Sequence, residues 1–431
     1  MKQNRNAVRL SALSLLLCLS VGVNAAQAAR NREIRLQLSA ERQRDMTDVV
    51  RAMADIEVNL QKLLIASGAA QSVTLLGETA LLAQHVETGL SRLPLDAEAA
   101  TDAMKFAGQI GDYAMTLAAQ VSGGSMLTTE DERQIEGMLS ACQGLNMHLV
   151  SVGERLYAEP IESGEESWAD DAIAGDSSID YPSLIYDGPF SDGRKEGAPR
   201  GLTGARITRE QARGIAARFA GVLPESVRDA ADSGGRFEAF GFIADTDDGR
   251  VSVQITGQGG HLLWMMPETA EFDAKIPQET CLESAEKWLV EMGYGEMERC
   301  FMQVYDGMTV FSFAAVQDGV LLYPDQVKLQ VSMESGRVVG AECSQYLTNH
   351  GMRENLNPEI SEEEARLTLS GRLEAGEGRL CLIPTDSGER LCWAFDGVFG
   401  GVRYAVFIDA GSGEAAEILR IEQSPEGELA V

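Results

Sequence analysis

Histidine is scarce in this chain: four in 431 residues, at His85, His148, His261 and His350, none with a partner at metal-ligand spacing. The patterns H-E-x-x-H, G-x-S-x-G and the P-loop are missing as well, so no familiar zinc, hydrolase or nucleotide-binding signature is present. Basic residues are few, with 36 Lys and Arg against 66 Asp and Glu, a formal charge of −30. That balance argues against nucleic acid or anionic lipid as a main partner, because both need a basic surface. So many carboxylates make glycosidase-like pairs inevitable by chance, and nothing singles one out. The reading at this level is no catalytic residue, no cofactor and no metal.

Long apolar runs are nearly absent too. The one that exists, residues 10–23, follows Lys2, Arg5 and Arg9 and precedes Ala26-Gln27-Ala28. Basic, apolar and small-residue regions in that order make residues 1–29 a secretory signal peptide or, if uncleaved, a membrane anchor. Ser11, Ser14 and Ser20 interrupt the run, which falls short of the ~20 apolar residues of a comfortable span. Cysteines are seven and irregularly spaced, with Cys18 in the leader, so this is no disulfide scaffold. Cys381 and Cys392 sit symmetrically about Asp386-Ser387 and would face each other across a hairpin. Two small buried thiols are favoured there over a cross-strand disulfide.

What the chain does have is a repeat. Ile207-Thr208, Ile276-Pro277 and Ile360-Ser361 each open a short helical pattern that gives way to alternating strand-like runs with Gly-containing turns. Thr208 with Gln211, and Ser361 with Glu364, have capping-box spacing. Three small modules in series are predicted, at 206–272, 273–351 and 357–425, each a helix on an antiparallel sheet. In the second, residues 310–316, 320–323, 327–331 and 338–342 read as a meander of separate strands. Asp245-Thr246-Asp247-Asp248-Gly249 has the outline of a calcium loop. Its Gly comes one position early and Thr256 stands where the bidentate Glu is needed, so a hairpin turn is expected.

Ahead of the modules, residues 30–159 carry helical periodicity, as at Met46, Val49, Met53, Ile56, Leu60 and Leu63. The series Ile135, Met138, Cys142, Leu145 and Leu149 is another, with a capping box expected at Thr129 and Glu132. An antiparallel helical bundle follows. Residues 160–205 form an acidic linker holding an aromatic island, with Tyr181, Tyr186 and Phe190 suited to docking. The fold class is therefore multidomain α+β.

Several segments resemble the YpeB family of sporulation and germination proteins of spore-forming Firmicutes. They are Leu93-Pro94-Leu95, Gln109-Ile110-Gly111-Asp112-Tyr113, the tyrosine- and proline-rich island at 181–192, and Gly259-Gly260-His261. In the second module they are Val310-Phe311-Ser312-Phe313, Leu322-Tyr323-Pro324-Asp325, Val338-Val339-Gly340 and Tyr346-Leu347-Thr348-Asn349-His350. The third module matches little beyond its opening, and the leader is more cleavable in appearance than that family's anchor.

The resemblance implies PepSY-type modules and a non-enzymatic spore protein. Its partner would be a SleB-like spore cortex-lytic enzyme, whose stable incorporation it secures. Its place would be extracytoplasmic, at the outer face of the inner spore (forespore) membrane, associated through the N-terminal segment if that is uncleaved. The alternatives are a general PepSY inhibitor or adaptor of another envelope hydrolase or protease, and third a cortex hydrolase in its own right. Candidate partner-binding residues are Tyr181, Tyr186, Phe190, His261, Tyr323, Pro324 and His350, the last four at strand ends or loops where binding residues concentrate.

Overall fold

In the computed structural model the described residues are 2–93, 97–124, 126–158, 199–234, 236–268, 272–305, 307–385, 388–424 and 427–430. The chain divides into a helical unit and a sheet unit. The island at 181–192, with Tyr181, Tyr186 and Phe190, lies outside the described residues.

The helical unit is built from α1 (Lys2–Ile65), α2 (Ala69–Leu90), α3 (Ala97–Ser122) and α4 (Thr129–Ala158). Its core follows the predicted stripes: Met46, Val49, Met53, Ile56, Leu60 and Leu63 of α1 are each at most 1% exposed. On α4 the fully inward positions are Ile135, Cys142 and Leu149, seven residues apart, with Met138 and Leu145 half-buried between them. Small residues set the close approaches. A Cβ added to Gly89 would lie 2.3 Å from Val49 Cγ2, and one on Gly153 would meet Met46 at 3.5 Å, so α2 and α4 both pack on α1. Asn146 Nδ2 donates to Glu57 Oε1 at 3.0 Å across the α4–α1 contact. The α4 cap sits one residue earlier than expected. Thr128 and Asp131 close it, with Thr128 N donating to Asp131 Oδ2 at 2.8 Å and Asp131 N to Thr128 Oγ1 at 3.2 Å. The shorter aspartate reaches back as well as a glutamate one position later could. Among the described residues no helix is long and apolar enough to cross a membrane.

The sheet unit opens with α5 (Arg209–Ala220), β1 (Val227–Ser233), β2 (Ala239–Thr246), β3 (Gly249–Thr256) and β4 (Leu262–Pro267). Then come α6 (Gln278–Met292), β5 (Met297–Tyr305), β6 (Met308–Gln317), β7 (Val320–Ser332), β8 (Val338–Glu342) and α7 (Ser344–Asn349). The last part holds α8 (Glu362–Leu367), β9 (Glu374–Thr385), β10 (Gly388–Phe399), β11 (Val402–Asp409), β12 (Ala415–Ser424) and β13 (Gly427–Ala430). Helices α5, α6 and α8 each open at a copy of the repeat, and the repeat has a physical reason. Ile207, Ile276 and Ile360 stand just before the caps and pack their side chains onto the cores. Thr208–Gln211 and Ser361–Glu364 make reciprocal capping boxes, whereas Pro277 caps α6 by conformation alone.

The modules are not beads on a string. Their strands form one sheet in the order β1-β2-β3-β4-β8-β7-β6-β5-β13-β12-β11-β10-β9, with a further β7–β9 pairing. β4 joins β8 and merges the first two modules over a single core, in which Phe242, Val253, Phe311 and Leu329 meet Ala212, Ala216, Cys281 and Trp288. β13 pairs with β5 and β9 with β7, so β5, β6, β7 and β9–β13 close into a barrel. An eight-strand barrel is just wide enough to be filled by side chains. Ala314, Leu321, Cys381, Ile383, Cys392 and Phe407 fill this one. The β5, β7, β9 and β13 edges that separate second and third modules would have exposed are thereby paired.

Candidate functional site

The segment Leu322-Tyr323-Pro324-Asp325 lies at the branch point of the sheet. Residues 320–323 and 327–331, expected as two strands, are one strand, β7, carrying a bulge. Its register with β6 passes from Ala315↔Leu322 to Ala314↔Gln326, so Tyr323, Pro324 and Asp325 make up the bulge. On its other side β7 changes neighbour across the same bulge. Leu321 and Leu322 pair in parallel with Cys381 and Leu382 of β9, while Lys328 to Val331 pair with β8. Pro324 has no N–H to give a ladder, and here none is asked for. Its carbonyl accepts from Asn349 Nδ2 at 2.8 Å. Tyr323 turns into the barrel, edge-on to Phe407 at 5.9 Å between centroids. Burial, with Cys381 and Cys300 nearby, pushes its phenol well above the usual range.

Asp325 is fully buried, and its two oxygens are both used. Arg353 Nη1 donates to Oδ2 at 2.7 Å and Nη2 to Oδ1 at 2.5 Å; His350 Nδ1 lies 2.9 Å from Oδ2. Arg353 also holds Glu389 of β10, through Nη2 at 2.7 Å and Nε at 3.2 Å. Gln317 exchanges two hydrogen bonds with the Arg353 backbone, both 2.9 Å. Burial alone would lower the guanidinium's pKa, but hydrogen bonds to Glu389 and Asp325 outweigh it and raise it above the ordinary value. The His350 ring stacks on Tyr346 at 4.1 Å. One arginine thus ties the bulge of β7, the connection after α7 and β10 together. Asp325 and Glu389 both face that arginine, and Asp325 also meets His350.

His261 lies elsewhere, at the tight turn between β3 and β4. Its Nε2 is 2.8 Å from the Thr203 carbonyl, and its N–H donates to Thr256 Oγ1 at 2.9 Å. Gly259 and Gly260 have φ of 75° and 70°, and a Cβ on Gly259 would come within 1.9 Å of Thr203 O. Only glycine lets the incoming chain lie this close. Residues 200–207 form a strap clasped at both ends. Arg200 and Gly201 donate to the carbonyls of Thr348 and Leu347, and Ile207 to that of Gly257, at 2.9–3.0 Å. The structure therefore gathers Tyr323, Pro324 and His350 into one junction and puts His261 at the far end of the strap.

Arg353 and Glu389 were missed as members of the junction. Arg353 is the single basic residue between Arg337 and Arg366, which is the signal that was there to use. The Asp245–Gly249 stretch is the β2–β3 hairpin turn, with Thr246 opposite Gly249. Among the described residues no group of three or more His, Cys, Asp and Glu is placed to hold a metal.

The barrel interior carries Cys300, Cys381 and Cys392 as free thiols. Cys381 and Cys392 are direct partners across the β9–β10 ladder. Burial pushes Cys300 and Cys392, and Cys142 of α4, up to about 12, and Cys381 well above its usual value. Raised thiol pKa values keep these groups protonated below that range. At pH 8 very little of any of them is thiolate, the reactive form. Ellman's reagent should label at most Cys18 in the native protein at pH 8, and the remaining six only after denaturation. Fast labelling of any of the six in the folded state would contradict this burial.

Comparison with known proteins supplies the family. YpeB N-terminal matches residues 30–165, and YpeB sporulation, PepSY1 and PepSY2 domains matches residues 175–356. The sporulation protein YpeB of Halalkalibacterium halodurans is 29% identical, over 59% of this chain and 57% of its own length. That of Oceanobacillus iheyensis is 22% identical, over 79% of this chain and 80% of its own. That of Bacillus subtilis is 26% identical, over 52% and 51%. Among solved structures, the Bacillus megaterium YpeB C-terminal domain is similar at 26% identity and a TM-score of 0.47, covering 51% of this chain and all of that one. Helices followed by PepSY sheet modules, with both stretches matched in order, make this chain a member of the YpeB family of sporulation proteins.

Proposed function

We propose that this spore-related PepSY protein is non-enzymatic and holds a SleB-like cortex-lytic enzyme in its folded, protected state. It would do so at the outer face of the inner spore membrane, during sporulation and germination. The observation that carries the reading is the family match running through the helical unit and the first two modules, residues 30–356 but for a short gap. The junction supports it from a second side, because Asp325, Arg353 and Glu389 are committed to holding modules together rather than left facing a substrate.

The physical means is mass action. A ligand present at ~100 times its dissociation constant stabilises its partner by about 2.7 kcal/mol, roughly a hundredfold smaller unfolded and protease-sensitive fraction. Purified lytic enzyme mixed with increasing amounts of this protein should be digested more slowly and melt at a higher temperature. Unchanged digestion and melting at saturation would refute a direct protective complex. Release of soluble fragments from purified cortex by this protein alone would refute the non-enzymatic reading.

A further inference from the structure

The sheet unit holds two large cores with a thinner contact between them. Phe242, Val253, Phe311, Phe313 and Leu329 belong to the core of the first two modules. Phe395, Tyr404, Val406, Ile408 and Ile418 belong to that of the third. Inside the barrel the two bodies meet through smaller side chains. Ala314 and Leu321 face Cys381, Ile383, Cys392 and Phe407, and Ala315 and Leu322 face Leu382 beside them. Alanine and cysteine bury less apolar surface than the rings and branched chains on either side, so this contact contributes less per residue.

The ladders thin out at the same place. β10 and β11 pair without a break from Cys392 to Phe399, and β6 and β7 pair over the full length of β6. Across the barrel's two seams, the pairs among the described residues are Leu321–Cys381 and Leu322–Leu382 on one side and Gly427–Gln303 on the other. Two arginines add to them. Arg353, 7% exposed, joins Asp325 to Glu389 of β10. Arg379 of β9 pairs with Glu298 of β5, but both are more than a third exposed, where an ion pair contributes little. The chain between the bodies suits bending. Residues 354–358 belong to no helix or strand, and Asn355 there has φ of 61°, a left-handed turn that asparagine tolerates. Anchoring resumes at Glu359, whose N–H donates to the Ala410 carbonyl at 2.8 Å.

We propose that the third module is a hinged cover on the barrel. It swings off β5 and β7 as a folded unit about residues 354–358, with the Arg353–Glu389 pair as its latch, while the first two modules stay intact. Bodies with separate cores and a small shared contact move against each other by default, and they open as cooperative units. The device does not depend on the protective role proposed above. Four fully buried thiols report on it: Cys381 and Cys392 face the barrel interior, whereas Cys281 and Cys343 lie in the core of the first two modules. The test holds the full chain for hours in urea at about half its unfolding midpoint, where partial openings are populated before global ones. N-ethylmaleimide labelling is then mapped by mass spectrometry. Cys381 and Cys392 should react at one common rate, at least tenfold faster than Cys281 and Cys343, while the amides of β10 and β11 stay protected from hydrogen exchange. Glu389→Gln should speed that common rate at least threefold and leave Cys281 and Cys343 unchanged. Leu321→Cys places a thiol beside Cys381, its ladder partner, so the oxidised variant is bolted shut and Cys392 should stop reacting, while the reduced form still opens. Equal rates at all four thiols, loss of β10–β11 protection together with labelling, or an unchanged Cys392 rate in the Glu389→Gln or oxidised variant would each overturn the proposal.

Discussion

Replacing Asp325 by alanine should destabilise the sheet unit by about 3 kcal/mol, towards the lower end of what breaking one side of a buried ion pair costs. The large size follows from what is left behind. Arg353 has a side chain only 7% exposed, and without Asp325 its charge keeps one partner, Glu389, itself 23% exposed. That remaining pair is why the lower end of the range applies. The urea midpoint followed by tryptophan fluorescence is the measurement, since Trp288 and Trp393 both report on this unit. Asp325→Leu combined with Arg353→Met should cost less than the sum of the single changes, because both buried charges go together and the carboxylate left behind, Glu389, is 23% exposed with Arg200 at 3.7 Å. A loss under about 1 kcal/mol for Asp325→Ala would mean that the junction is wetter and less coupled than its geometry says.

Deleting residues 357–431 should leave a protein that self-associates. A string of separate modules would tolerate the cut, because each would keep its own core. The barrel does not allow that. Without β9–β13, β5 and the first part of β7 become open edges, and Ala314, Leu321 and Tyr323 lose the side chains that cover them. Light scattering should show oligomers at micromolar concentration, and a dye that binds exposed apolar surface should fluoresce. A truncated chain that stays monomeric, dye-silent and as β-rich as the first two modules would show that barrel closure is dispensable.

Much of this was legible from the residues, for identifiable reasons. Helix starts were readable because an isoleucine before a polar cap and a Gln or Glu three residues on are local devices, complete within a handful of positions. The pairing of Cys381 with Cys392 was readable because a hairpin fixes its own register. Capping at α4 slipped by one because Thr128 and Thr129 are both competent caps, and only the reach of Asp131 or Glu132 separates them. The merger of the sheets was not legible. Trp264–Glu342 and Leu321–Cys381 join strands far apart in sequence, and no local pattern encodes an edge's eventual partner. For the same reason residues 320–323 and 327–331 read as two separate strands, when the residues between them are the bulge at which β7 changes neighbour. Arg353 could be seen only as a lone cation, not as the residue that closes on Asp325.

The bulge also sets an order of events. Leu321 must meet Cys381, a contact that spans a long stretch of intervening chain. As the protein is made from its N-terminus at about 5–20 residues per second, β5–β7 are complete several seconds before β9 and β10 can reach them. During that interval they are a half-built wall with two unmatched rims. Contacts of such long sequence separation are slow to form. A helper that shields nascent β-edges should therefore raise the yield of this protein more than one that assists its helices.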